Sequence, residues 1–179
     1  LKMNFSIVVL TWNDWKNTID CLQSIIKSNY KNYDVILVDN NSDLKHINFI
    51  KKWQNKEISC NSKFVSPSNQ RFKKIIEIKE NEIIKQKERG KQNIFLIKNK
   101  KNYGLTKGLN IGYKFSINNK YKYILRVDND VFIEKNCIQK LLGNLRDEKI
   151  AAISPKILHG HLTETVWWSE FYMNWFYLK

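Results

Sequence analysis

The chain has 179 residues, 42% of them hydrophobic and 13% aromatic, enough for one domain with a sizeable core and too apolar for wholesale disorder. No apolar stretch approaches the ~18 residues that span a bilayer. The net charge of +14 raises a nucleic-acid reading, but 27 of the 31 basic residues are Lys and only four are Arg; base and phosphate readout leans on the Arg fork, so no nucleic-acid partner is expected.

Phe5–Thr11 (FSIVVLT) is a near-continuous run rich in β-branched residues, the pattern of a strand buried on both faces. It is short and leads to no small-residue cleavage site, so a signal peptide is not expected. Asn13 or Asp14 then caps a helix that carries Trp15, Ile19, Leu22 and Ile26 at helical spacing. Tyr33–Val38 (YDVILV) is a second buried strand, ending in Asp39-Asn40-Asn41-Ser42-Asp43. A short helix follows, with Leu44, Ile47 and either Phe49 or Ile50 facing inward. This strand–helix alternation predicts a parallel sheet with helices packed on it.

Residues 54–93 interrupt the alternation and read as a polar, basic insertion. Within it Arg71–Arg89 is predicted as a helix stopped by Gly90. Residues 71–101 hold 11 basic and four acidic side chains, either a solvated face or a surface for an anionic membrane or acceptor.

The alternation resumes with a strand at Ile94–Lys98, a helix over Gly104–Ile117 and a strand at Tyr123–Val127. A helix over Glu134–Arg146 and a fifth strand at Ile150–Ser154 complete the pattern. The last 13 residues hold seven aromatics, from Trp167 to Tyr177. Such a segment suits core or inter-subunit packing, a membrane interface, or sugar rings. Cys21, Cys60 and Cys137 are odd in number and share no CxxC spacing. Neither a disulfide framework nor a zinc site is expected, and a reducing, cytoplasmic compartment is.

In open parallel sheets, ligands bind at the carboxyl ends of the strands. Three polar clusters fall there: Thr11-Trp12-Asn13-Asp14, Asp39-Asn40-Asn41-Ser42-Asp43 and Asp128-Asn129-Asp130. In the last, two carboxylates two residues apart leave a strand end, where mutual repulsion favours a bound cation or a proton. Oxygen ligands suit Mg²⁺ or Mn²⁺. The same triplet also suits a strand-end turn before the next helix. Gly104, Gly108 and Gly112, spaced by four, allow a helix to pack closely on the sheet. No GxGxxG follows the first strand, and no GxxxxGK[ST] loop is present.

The segments IVVLTWNDWKNTIDCLQSI, DVILVDNNSD, NYGLTKGLNIGYKFSI, YILRVDNDVFIEKNCIQKLL and IAAISPKIL together resemble the family 2 glycosyltransferases, inverting enzymes of the GT-A fold, and in particular their rhamnosyltransferase-like branch. The resemblance implies an α/β, Rossmann-like GT-A domain, a mostly parallel sheet flanked by helices, over residues 1–179. It implies that Thr11 lies near the nucleotide and that Asp39 hydrogen-bonds a pyrimidine base. Asn102, Gly104 and Lys107 would contact base, ribose or diphosphate. Asp128-Asn129-Asp130 matches the DxD motif, with Asp130 and Asp128 as ligands of Mg²⁺ or Mn²⁺ and Asp128 also reaching the ribose. The donor would be UDP- or dTDP-linked and the acceptor a glycan or lipid-linked sugar of the cell envelope.

Inversion needs a general base, and Glu164 and Glu170 are the only acidic residues after Glu148. The family places its base further along, so a C-terminally truncated chain is expected. Two other readings stay open: a non-catalytic remnant that binds a nucleoside diphosphate, and a basic module at the cytoplasmic face of a membrane. The aromatic tail also admits a homo-oligomer.

Overall fold

The computed structural model describes residues 4–80, 90–145, 150–160 and 164–169. It divides into two compact units, residues 1–135 and 136–179.

The first unit is an α/β layer built on five parallel strands: β1 (Phe5–Thr11), β2 (Tyr33–Asp39), β3 (Ile75–Lys79), β4 (Ile94–Lys98) and β5 (Tyr123–Asp128). Their order is β3-β4-β2-β1-β5. Helices α1 (Trp15–Ile26), α2 (Leu44–Gln54) and α3 (Gly104–Asn118) connect them. The central strands β1 and β2 are buried almost throughout, which is why their apolar runs do not alternate. One face of the sheet meets α3 through Val8, Ile36, Val38, Phe95 and Ile97 against Leu109 and Phe115.

Local chemistry accounts for the elements. Asp14 caps α1, its carboxylate accepting the Asn17 amide. Gly108 and Gly112 are buried, and a methyl at either would overlap β1 side chains. The amino end of β2 is tied by Asp34, fully buried, whose carboxylate accepts the backbone amides of Gly90, Lys91 and Asn93 and the Tyr121 hydroxyl.

Three expectations are corrected. Within Arg71–Arg89 no helix forms among the described residues. Ile75–Lys79 is instead edge strand β3, and residues 81–89 lie outside the description. The reason is a period of two: Ile76 and Ile78 join the α3-side core, while Glu77 faces away to pair with Lys51 at 2.5 Å and Lys98 at 3.0 Å. In α2, Leu44 is 72% exposed, and Ile47, Ile50 and Trp53 are the buried residues. Ile150–Ser154 forms no strand. Ala151 and Ala152 are exposed, so the run buries little apolar surface and lacks the driving force for a buried strand.

The second unit holds α4 (Cys137–Asn144) and an antiparallel hairpin of β6 (Ile157–Leu158) and β7 (Val166–Trp168). The helix is shorter than the Glu134–Arg146 expected. Phe171–Tyr177 lie outside the described residues. No helix among those described is long and apolar enough to cross a membrane.

Candidate functional site

The carboxyl ends of β1, β2, β4 and β5 form one rim, and the three polar clusters meet there. Parallel register sets Thr11 beside Asp39 and Leu10 beside Asp128. Asp39 and Asp128 therefore stand on either side of β1, about 10 Å apart at ordinary strand spacing.

Asp39 ends β2 and is 4% exposed. Its Oδ1 accepts the Ser42 amide at 2.9 Å. Burial raises its pKa above the usual carboxylate value, against the lowering influence of Ser42, Lys98 and His46. A carboxylate has about four lone-pair sites, so Asp39 keeps capacity for a further donor. Asn13 and Asn41 take left-handed backbone conformations (φ 52° and 65°), which Asn tolerates better than most residues. They bring the two loops together: the Asn13 amide donates to Ser42 Oγ and the Asp43 amide to Asn13 Oδ1. Trp12, on the same loop, is 55% exposed and offers an apolar ring face at the rim.

Thr11 is only 2% exposed. Its hydroxyl lies 2.7 Å from that of Thr18, which donates to the Asp14 carbonyl. Its side chain thus ties β1 to α1, and its carbonyl accepts the Asn40 amide. Sequence reasoning gave Asn40 no role of its own. It is 3% exposed and joins three elements. Its amide nitrogen donates to Asn102 Oδ1 (2.7 Å) and the Gly104 carbonyl (3.2 Å); its oxygen accepts from Tyr103 N (3.0 Å) and Asn99 Nδ2 (3.1 Å). Asn102 Oδ1 also accepts the Gly104 amide. Gly104 opens α3 at φ 73°, a conformation glycine adopts without the steric penalty of a side chain. Lys107 is exposed, its Nζ 4.1 Å above the Tyr103 ring. The Tyr103 hydroxyl donates to Glu80 at 2.8 Å, which ties this loop to the end of β3.

At the end of β5 the carboxylates of the Asp-Asn-Asp triplet have unlike surroundings. Asp130 is exposed, with no hydrogen-bond or ion-pair partner among the described residues. Asp128 is held by Arg126: Nε donates to Oδ1 at 3.0 Å and Nη2 to Oδ2 at 3.1 Å. Asn129 is turned inward, donating to Asp14 and Thr18. Cys21 lies beneath the strand end, its thiol 3.7 Å from the Asp128 carbonyl and pushed to high pKa by burial. The donor set fits Mg²⁺ or Mn²⁺. It offers hard carboxylate oxygens, the ligand type these cations take, and among the described residues no group of three or more His, Cys, Asp or Glu could by itself hold a metal ion.

Glu164 is exposed in the second unit, beside β7, and Glu170 lies outside the described residues.

A sequence model described as Glycosyl transferase family 2 matches residues 6–74 and 79–179. An uncharacterised protein of Methanocaldococcus jannaschii is 41% identical over 66 residues, 36% of this chain and 29% of its own. Among solved structures, TarS of S. aureus (residues 1–349) aligns over 79% of this chain and 32% of its own, with 20% identity and TM-score 0.50. The mannosyltransferase PcManGT of Pyrobaculum calidifontis, solved with GDP-Man and Mn²⁺, aligns over 82% of this chain and 33% of its own, with 13% identity and TM-score 0.57. The chain thus spans about a third of the length of each relative, and the structural matches show the GT-A-like fold.

Proposed function

The chain belongs to glycosyl transferase family 2, and from that premise we propose that it transfers a sugar, with inversion, from a UDP- or dTDP-linked donor to a glycan or lipid-linked acceptor. One observation supports the reading above others: a buried carboxylate with spare acceptor capacity, Asp39, shares a rim with the Asp128-Asn129-Asp130 carboxylates. Asp39 accepts the ring N–H of a uracil or thymine base, a donor that adenine and cytosine lack at that edge. The Trp12 indole stacks on the base, a contact worth about 1–3 kcal/mol. Lys107 leaves the Tyr103 ring to neutralise the diphosphate, and Asp128 reaches the ribose. Asp130, with Asp128 beside it, holds Mg²⁺ or Mn²⁺. When bound, that cation supplies Lewis-acid stabilisation of the departing diphosphate. The acceptor hydroxyl attacks from the opposite face, its proton taken by a carboxylate, for which Glu164 and Glu170 are the candidates. The sugar transferred is a hexose or a deoxyhexose.

The test is calorimetric titration with UDP, dTDP and GDP, each with and without Mn²⁺, on the wild type and on Asp130→Ala. GDP is included because the Pyrobaculum enzyme was solved with GDP-Man. UDP or dTDP should bind in a Mn²⁺-dependent manner, and Asp130→Ala should weaken this by about tenfold or more, since even outer-shell partners of a metal cost that much. A folded chain that binds none of the three would refute the donor site.

A further inference from the structure

The Asp128 carboxylate is already engaged. Both its oxygens receive hydrogen bonds from one guanidinium, in the two-pronged geometry that makes Arg–carboxylate pairs specific. The pairing follows from the strand. Residues 124, 126 and 128 point to one face of β5, and Ile124 packs against the α3-side core. Tyr113 on α3 feels both charges, Arg126 lowering and Asp128 raising its pKa beneath the larger effect of burial. Arg126 thus lies along its own strand and reaches forward to the rim.

We propose that Arg126 is the resident counter-cation of Asp128 and sets how strongly the rim binds a divalent cation before any nucleotide arrives. The inference rests on the transferase reading of this rim. Each Asp128 oxygen keeps a second lone-pair site, so a cation can reach it with the fork intact, but only against the positive charge of the adjacent guanidinium. The pair is also neutral as a unit, which leaves Asp130 as the uncompensated charge of the triplet. Free metal is therefore held weakly. A diphosphate adds negative charge and oxygen ligands, so metal and nucleotide bind together, each raising the other's affinity by the same factor. The pair is about half exposed, 46% at Arg126 and 47% at Asp128, so its own strength is modest and its removal is compatible with folding.

The experiment measures Mn²⁺ affinity without nucleotide, from the paramagnetic resonance signal of free Mn²⁺, for wild type, Arg126→Met, Arg126→Lys and Lys122→Met. Lys122 precedes the far end of β5 and controls for net charge. Arg126→Met should tighten Mn²⁺ binding by roughly two- to fivefold, the range of an exposed pair. Arg126→Lys, which keeps the charge without the fork, should fall between it and wild type, and Lys122→Met should match wild type. Metal–nucleotide coupling should fall in Arg126→Met. Unchanged or weaker Mn²⁺ binding in Arg126→Met overturns the proposal. So does an equal gain in Lys122→Met, or no detectable Mn²⁺ binding by either the wild type or Arg126→Met. Tighter Mn²⁺ binding by a variant of a chain that takes no nucleotide would keep the Arg126 role and defeat the transferase reading; nucleotide binding with unaltered Mn²⁺ affinity would do the reverse.

Discussion

Gly112→Ala is the sharpest test of how α3 is seated. A Cβ at position 112 would stand 2.6 Å from Val8 Cγ1 and 3.0 Å from Val38 Cγ2. Both valines are fully buried on central strands, and β-branching leaves them little χ1 freedom to retreat. The overlap should cost about 3 kcal/mol, the upper part of the usual overpacking range. Alanine returns about 1 kcal/mol of helix propensity, so the net loss is about 2 kcal/mol, or roughly 4–8 °C in Tm at this chain length. Gly108→Ala is the internal control. Its Cβ would meet Leu10 Cδ1 at 2.7 Å and Cδ2 at 3.1 Å, the tip of a half-buried, flexible side chain. A cost of about 1 kcal/mol then cancels the propensity gain. Urea and thermal unfolding followed by circular dichroism would compare the two variants. Equal stability of Gly112→Ala and Gly108→Ala would refute the account, because it rests on the stiffness and full burial of Val8 and Val38 against the freedom of the half-buried Leu10.

Asp39→Asn tests the rim from the opposite direction. The folded-state pKa of Asp39 is raised, chiefly by burial, so ionisation works against folding. That burden is absent below the unfolded carboxylate pKa of about 3.9 and grows as pH rises through the folded value. Asp39→Asn should therefore raise Tm at pH 7, lose that advantage near pH 3, and weaken nucleotide binding; a lower Tm at pH 7 would contradict it. Asp34→Ala strips four hydrogen-bond donors of a buried acceptor and should cost about 3 kcal/mol or more. Tyr121→Phe removes one of those bonds and should cost about 1–2 kcal/mol. Chemical denaturation would rank them, and equal losses would show that the backbone donors contribute nothing.

Most of the first unit is legible in the sequence because its central strands are buried on both faces. FSIVVLT and YDVILV have no alternation to misread, and their ends are marked by Asp, Asn and Ser. Edge strand β3 is harder. Its Ile75-Ile76-Glu77-Ile78 fits a helical stripe as well as a period of two, and only pairing with β4 and the Ile76–Ile78 face decides between them. Leu44 and Ile150–Ser154 mislead for a related reason: apolar character signals burial only when a partner surface exists. Within the site, Asp39 and the Asp128–Asp130 pair are visible as carboxylates after apolar strands. The link between Arg126 and Asp128 follows from strand periodicity, but its two-pronged geometry is a matter of rotamers.

Asn40 is the residue whose importance depends most on tertiary structure. Beside it, Asp39 keeps acceptor capacity for a ligand, whereas Asn40 uses both polar atoms internally. Its backbone amide is taken by the end of β1, its oxygen by Asn99 and Tyr103, and its nitrogen by Asn102 and Gly104. Only a side chain that both donates and accepts can do this. The substitution Asn40→Asp would remove the donor that Asn40 gives to Asn102 Oδ1 and the Gly104 carbonyl, and a carboxylate oxygen would face those acceptors instead. The same web holds the first residue of α3, from which Lys107 rises. The residues proposed to meet the base and the diphosphate are thereby connected through one buried amide rather than through a ligand. A rim assembled in this way is preorganised: the ordering of its loops is met in folding, and a nucleotide need not supply it on binding.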